Sequence, residues 1–180
     1  MTITSVWKKL LGKPRLKVNK PNRLKLGLEH LEDRLTPAIV TWVNPASGDW
    51  SVPSNWSTGQ LPGSTDDVQI NLAGVTVTHS VGSDSVNSLT SSDPIILSGG
   101  TLSLASTSAV TANFTESGGT LAGAGNLSIG GLTWSGGSMN GAGQTVLSAG
   151  TTGTISGTVN KGLERTLNNF GSITYSGAHL

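Results

Sequence analysis

The side chains able to do chemistry in this 180-residue sequence are few and scattered. There is no cysteine, which excludes a disulfide framework, a thiolate metal site and a thiol nucleophile. Beyond residue 38 the only fixed bases are Lys161 and Arg165, with Glu164 between them in the string Lys161-Gly162-Leu163-Glu164-Arg165. That string reads as a polar loop between turns. Glu116 stands alone, and His79 and His179 are isolated among small polar residues, where a solvated histidine is expected. Acid–base work on a polysaccharide needs two carboxyl groups, or a carboxyl beside Lys or Arg, on one face. No such grouping is legible. Asp49, Asp66 and Asp67 are hard oxygen donors, but calcium takes about six to eight oxygens and no spaced Asp/Asn/Gly loop is present. The adjacent pair Asp66-Asp67 is expected to cap a turn before a strand at Val68–Ile70. No glycine-rich run ends in Lys-Ser or Lys-Thr, so no phosphate-binding loop is indicated. The expectation is a chain with no catalytic residue, no metal and no cofactor.

The elements that would carry these residues are set by composition. Hydrophobic residues make up 35% and aromatic residues 4%, too little for one large enzyme core, while glycine reaches 25 residues. Low-complexity disorder and a small-residue all-β architecture both fit such numbers. Charged residues are only 12%, and Val, Ile, Leu and Thr recur in short runs, which favours ordered β structure. The net charge of +1 hides a split: residues 1–36 hold nine of the eleven Lys and Arg and carry +6, and the rest carries −5. No window approaches the ~20 apolar residues of a membrane span.

In the basic part, Leu24, Leu28, Leu31 and Leu35 recur on one helical stripe after Pro21, and Pro37 ends it. A solvated, partly helical or disordered tail is one reading. A nucleic-acid arm is another, disfavoured because no basic domain face accompanies it. An ordinary secretory signal is not present, since no apolar h-region exists. However, Leu28, Glu29, Leu31, Glu32, Asp33, Arg34, Pro37 and Ala38 fill every fixed position of L-E-x-L-E-D-R-x-x-P-A. This string resembles the N-terminal sorting segment of planctomycete-type extracellular proteins. The resemblance implies export to the cell surface or the medium.

From Ala38 the composition changes. Ile39–Val43 reads as a first strand, and turn signals follow at Asn44-Pro45, Ser47-Gly48 and Pro62-Gly63. Trp42, Trp50 and Trp56 crowd this stretch. Packing is their expected role in a domain poor in other aromatics, and stacking of Trp50 or Trp56 on a sugar ring is the alternative. The order of Trp, Asn-Trp, Pro-Gly and Asp-Asp from Trp42 to Val68 resembles the segment that opens repetitive β-helical domains in bacterial surface proteins, including autotransporter-like adhesins. The resemblance implies a first coil or cap.

A repeat then dominates. Residues 114–125 (FTESGGTLAGAG) and 132–143 (LTWSGGSMNGAG) align at an offset of 18 with seven of twelve identical. Register marks fall at 98, 117, 135, 153 and 171. Ile95, Phe114 and Leu132 keep phase before the marks, and Leu102, Leu121 and Met139 after them; in the last two copies the apolar positions move to Ile155 and Ile173. At ~3.3 Å per residue, 18 residues trace roughly 60 Å, one turn of a three-sided coil. The predicted fold is therefore all-β: a right-handed parallel β-helix of about 18 residues per coil, with glycine and serine at the corners. An antiparallel sandwich is the rival, disfavoured by the constant spacing. The expected organisation is a sorting segment at 1–37, a Trp-rich first coil or cap at 38–70, and solenoid repeats at 71–180 that stop in mid-pattern. The functional expectation is a non-enzymatic, secreted or cell-surface structural or adhesive module. A carbohydrate-binding module, or the remnant of a β-helical polysaccharide-active enzyme, is the alternative. Expected partners are extracellular polysaccharide or a neighbouring surface protein, with end-to-end docking through an uncapped C-terminal coil and no role for nucleic acid.

Overall fold

A computed structural model describes residues 37–177. The sorting string up to Thr36, the leucine stripe and His179 lie outside the described residues. Beyond Pro37 the described chain is all strand and turn, with one 3₁₀ turn at Pro53–Asn55. The seventeen strands wind into a three-sided parallel β-solenoid of about six turns.

The first side stacks β1 (Ile39–Thr41), β3 (Asp67–Ile70), β6 (Ser88–Ser91), the first part of β9 (Ser108–Glu116), the first part of β11 (Leu127–Trp134), β13 (Gln144–Leu147) and β16 (Thr166–Asn169). The second side stacks β2 (Gly48–Asp49), β4 (Val77–His79), β7 (Ile95–Leu97), the later parts of β9 and β11, β14 (Thr152–Gly157) and β17 (Ser172–Gly177). The third stacks β5 (Ser83–Val86), β8 (Thr101–Leu104), β10 (Thr120–Ala122), β12 (Ser138–Met139) and β15 (Gly162–Leu163). Every strand pair is parallel.

Alternation along each strand decides what enters the core. Ile95, Phe114 and Leu132 pair in register, as do Leu102, Leu121 and Met139, so the apolar positions of the repeat are successive floors of one dry column. The central offsets are 18 and 19, as in Leu127↔Thr145 and Thr101↔Thr120. Later coils are longer: Leu132 pairs with Gly153 and Ser138 with Gly162, offsets of 21 and 24. The marks at 153 and 171 are therefore corrected. Ile155 pairs with Trp134, and Ile173 pairs with Gly153. Three extra residues entering the turn at Ser148–Thr151 account for the shift; Thr151 folds back there, donating both N–H and Oγ1–H to the Ser148 carbonyl.

Small residues at the corners allow the coils to stack closely. Gly82, Gly100, Gly119 and Gly137 each precede a third-side strand and hold φ of 91°, 69°, 73° and 89°. A Cβ on Gly119 would lie 2.8 Å from the Gly100 carbonyl oxygen below it, so glycine is required twice over, by dihedral and by space. In the next coil Lys161 occupies this place, at a longer corner whose left-handed residue is Gly157, with φ of 92°.

The front closes differently. Residues 55–57 run back along β1: the Val43 N–H donates to the Asn55 carbonyl, the Ser57 N–H to the Thr41 carbonyl, and an antiparallel bridge joins Trp42 to Trp56. Trp42, Trp50 and Trp56 meet edge to face at centroid distances of 5.1 and 4.7 Å. A strand stub of reversed direction covers the edge that another coil would otherwise use.

Candidate functional site

The interior holds two groups of titratable side chains, both on the column that ends each second-side strand. Leu97, Glu116, Trp134 and Ile155 pair in succession, and His79 lies one coil below Leu97. Position on a strand thus turns a His and a Glu inward at places where other coils carry Leu, Trp or Ile.

His79 is fully buried, against the expectation of a solvated residue. Its Nε2 lies 2.8 Å from Asp84 Oδ2 and its Nδ1 lies 2.9 Å from the Gly99 carbonyl oxygen. Both ring nitrogens are thus engaged, one by a carboxylate and one by a backbone carbonyl. The Trp50 ring lies 5.9 Å away on the coil below. Asp49, beside Trp50, accepts from the Ser51 N–H and hydroxyl, and from the Ser80 hydroxyl at 2.5 Å. Burial opposes ionisation of Asp49, but the Ser51 and Ser80 hydrogen bonds and the nearby His79 hold its carboxyl below the usual value. The Ser80 hydroxyl is thus bound to Asp49, and both His79 nitrogens are engaged. This arrangement ties coil one to coil two and pins a corner, and it leaves no imidazole nitrogen facing a substrate.

Glu116 is enclosed completely, and neither carboxyl oxygen has a partner in hydrogen-bonding geometry. Burial pushes its carboxyl up to about 8; the Ser138 N–H and the Arg165 charge only partly oppose this. The Ser138 N–H already donates to the Gly119 carbonyl at 3.0 Å, so it eases the carboxyl without satisfying it. Arg165 is itself buried and donates Nη2–H to the Gly125 carbonyl at 2.8 Å and Nη1–H to the Asn140 carbonyl at 3.4 Å. Burial draws its guanidinium below the usual range, and Glu116 partly offsets that. Lys161 is also buried, with Nζ donating to the Val159 carbonyl. The expected polar loop at 161–165 is therefore corrected: its centre is strand β15, and its two cations turn back onto backbone carbonyls.

The other candidates resolve plainly. Trp50 and Trp56 are buried, and the Trp56 indole N–H donates to the Trp50 carbonyl at 2.8 Å. Neither ring offers a face to a sugar, so these two are corrected as glycan contacts. Asp66 accepts from the Gly63 N–H, while Asp67 opens β3 and accepts from Asn87 and Ser88. Among the described residues no three His, Asp or Glu side chains could hold a metal ion. No helix among them is long and apolar enough to cross a membrane. A shallow groove of about 200 Å³ is lined by Val110, Thr111, Ile129, Gly130, Ser148 and Thr151 among others, with no titratable group. No family model, no curated protein and no solved structure matches this chain.

What sequence reading missed is the partner of each buried charge. Asp84 sits across a corner from His79, and Arg165 reaches back over Gly143 to a carbonyl 40 residues earlier. The signal available was the column itself, since His79, Asp84 and Glu116 each take a position that the next coil gives to Leu97, Leu102 and Trp134.

Proposed function

We propose that this chain is a non-enzymatic module, exported to the cell surface or the medium, that serves as a structural or adhesive element. The observation that supports this reading is how the titratable groups are spent. His79, Glu116, Lys161 and Arg165 are all buried, bonded to backbone or enclosed between coils, while the outward positions carry a regular succession of small polar residues. A stack of coils with its reactive groups inside is suited to presenting a long, uniform surface. The export half of the reading rests on Glu32, Asp33 and Arg34 within the string at 28–38.

Fractionation tests it. The full chain, produced in a host that uses this sorting string, is expected in the envelope or the medium. The Glu32→Ala, Asp33→Ala, Arg34→Ala triple variant is expected to stay in the cytoplasm. Recovery of the intact wild-type chain in the cytoplasm alone would overturn the proposal. A sugar-stacking role for Trp50 and Trp56 draws no support from rings enclosed in the cap, and an enzymatic role for Glu116 draws none from a carboxyl sealed in the core.

A further inference from the structure

The outward positions of the second side are not a random polar surface. Thr78, Ile96, Thr115, Thr133, Thr154 and Thr174 pair in unbroken succession through six coils. Five of the six are threonine. Two residues earlier runs a mixed, interrupted file: Asn113 of β9 pairs with the buried Gly131, and Thr152 of β14 with Ser172, while Thr76 and Pro94 precede β4 and β7. Thr78, Ile96, Thr115, Thr133 and Thr154 are each flanked by buried residues, as Thr133 is by Leu132 and Trp134. From β4 to β17 no outward side chain on this side carries a charge; Asp49, paired with Thr78, stands one coil below the file.

β-Propensity accounts for threonine on a strand, but it does not account for the register. The count from one file position to the next is 19 from Ile96 to Thr115, then 18, 21 and 20. The chain gains and loses residues between coils, and threonine returns to the same place each time. The extra length is placed in the corners, as at Ser148–Thr151.

The geometry points to a binding surface for ice. Neighbouring strands are ~4.8 Å apart, so the threonine file is a ladder at that spacing, and alternate residues ~6.7 Å away along β14 and β17 widen it with Thr152 and Ser172. The shorter spacing is close to the repeat between water molecules in a plane of hexagonal ice. Threonine supplies a hydroxyl that can stand in a water lattice and a methyl that orders the water beside it. Its β-branched side chain is stiff, so little rotamer freedom is lost on contact. Two hydroxyls are already oriented: Asn113 Nδ2 donates to Thr115 Oγ1 at 2.9 Å and to Thr133 Oγ1 at 3.2 Å. Each oxygen accepts from within the protein, and each O–H is left to donate outward. An uncharged ladder suits a neutral lattice. It lacks the cations a polyanion would require and the aromatic platform on which sugars stack. This surface is separate from the export reading and does not depend on it.

The test uses the purified full chain in ice-growth measurements: crystal shaping, the gap between melting and growth temperatures, and inhibition of recrystallisation. Wild type is expected to facet ice and open a gap. Thr115→Tyr and Thr133→Tyr should abolish it. Thr120→Tyr, outward on the third side, should leave it unchanged. Circular dichroism establishes that each variant is folded; if a tyrosine variant is not, Thr115→Val and Thr133→Val, which keep shape and β-propensity, are expected to reduce the gap in its place. Failure of the wild type to shape ice, or equal loss from both sides of the solenoid, would overturn the inference. So would threonine-dependent retention on crystalline cellulose with no effect on ice, which would reassign the surface to a neutral polysaccharide.

Discussion

Glu116 occupies a position filled by Leu97 below and Trp134 above, so its carboxyl is a polar group in a column built for apolar ones. Its folded value of about 8 exceeds the ordinary value of 4.5. The folded state therefore binds the proton more tightly than the unfolded state. The stabilisation is complete below pH 4.5 and is lost as pH rises towards 8. A difference of that size corresponds to about 5 kcal/mol, so denaturant midpoints are expected to fall steeply across this window. In Glu116→Gln the fall should disappear, and Glu116→Leu should be more stable than wild type at pH 8. A flat wild-type profile would mean that Glu116 gains a partner in solution. The His79–Asp84 pair makes a second case. His79→Leu alone strands a carboxylate that is only 14% exposed and is expected to cost about 2–3 kcal/mol, somewhat less than a fully buried orphan charge. The double variant with Asp84→Leu repeats the Leu97 and Leu102 of the next coil and should recover most of the loss. Chemical denaturation of the four-member cycle measures the coupling. The placement of Glu116 was legible in the sequence because the repeat aligns it with Trp134. The burial of His79 was not, because its partner lies round a corner where no local pattern links them.

At the level of the coil, corners decide whether strands can stack. Gly119 and Gly59 both hold positive φ, 73° and 68°. A Cβ on Gly119 meets the backbone of Gly99 and Gly100 within 3 Å, whereas nothing lies within 4 Å of one on Gly59. Gly59→Ala therefore carries dihedral strain alone, about 1–3 kcal/mol. Gly119→Ala must also push two coils apart, so its melting temperature should fall further than that of Gly59→Ala. Equal shifts would show that the stack yields freely at this corner. The same corners explain how far the repeat could be read. Marks 98, 117 and 135 were legible because the coils from β7 to β12 differ by one residue at most. Marks 153 and 171 failed because glycine and serine are as common in an inserted turn as at a true corner. Only backbone pairing separates Ser148–Thr151 from the bulge at Gly130 and Gly131 in β11 that it replaces.

A solenoid transmits stability from one coil to the next, since each coil touches only its neighbours. The described chain is therefore expected to unfold in a graded way. In the middle, β9 and β11 are paired on both sides and lie over a continuous apolar column. At the front, the stub at 55–57 and the three indoles cover β1. At the far end, β16 and β17 pair on one side only among the described residues, and Phe170 stands 66% exposed. Hydrogen exchange should then be slowest in β9 and β11, intermediate in β1 and β3, and fastest in β16 and β17. The cap supplies a sharper test. Trp56→Ala removes a buried indole that touches both of its neighbours, a loss of about 3–5 kcal/mol where the site cannot collapse. With nearest-neighbour coupling, exchange should accelerate strongly in β1 to β4, weakly in β6 and β7, and hardly at all in β11. Uniform acceleration along the chain would instead mark a single all-or-none unit, in which the coils share one transition and the cap stabilises every coil equally.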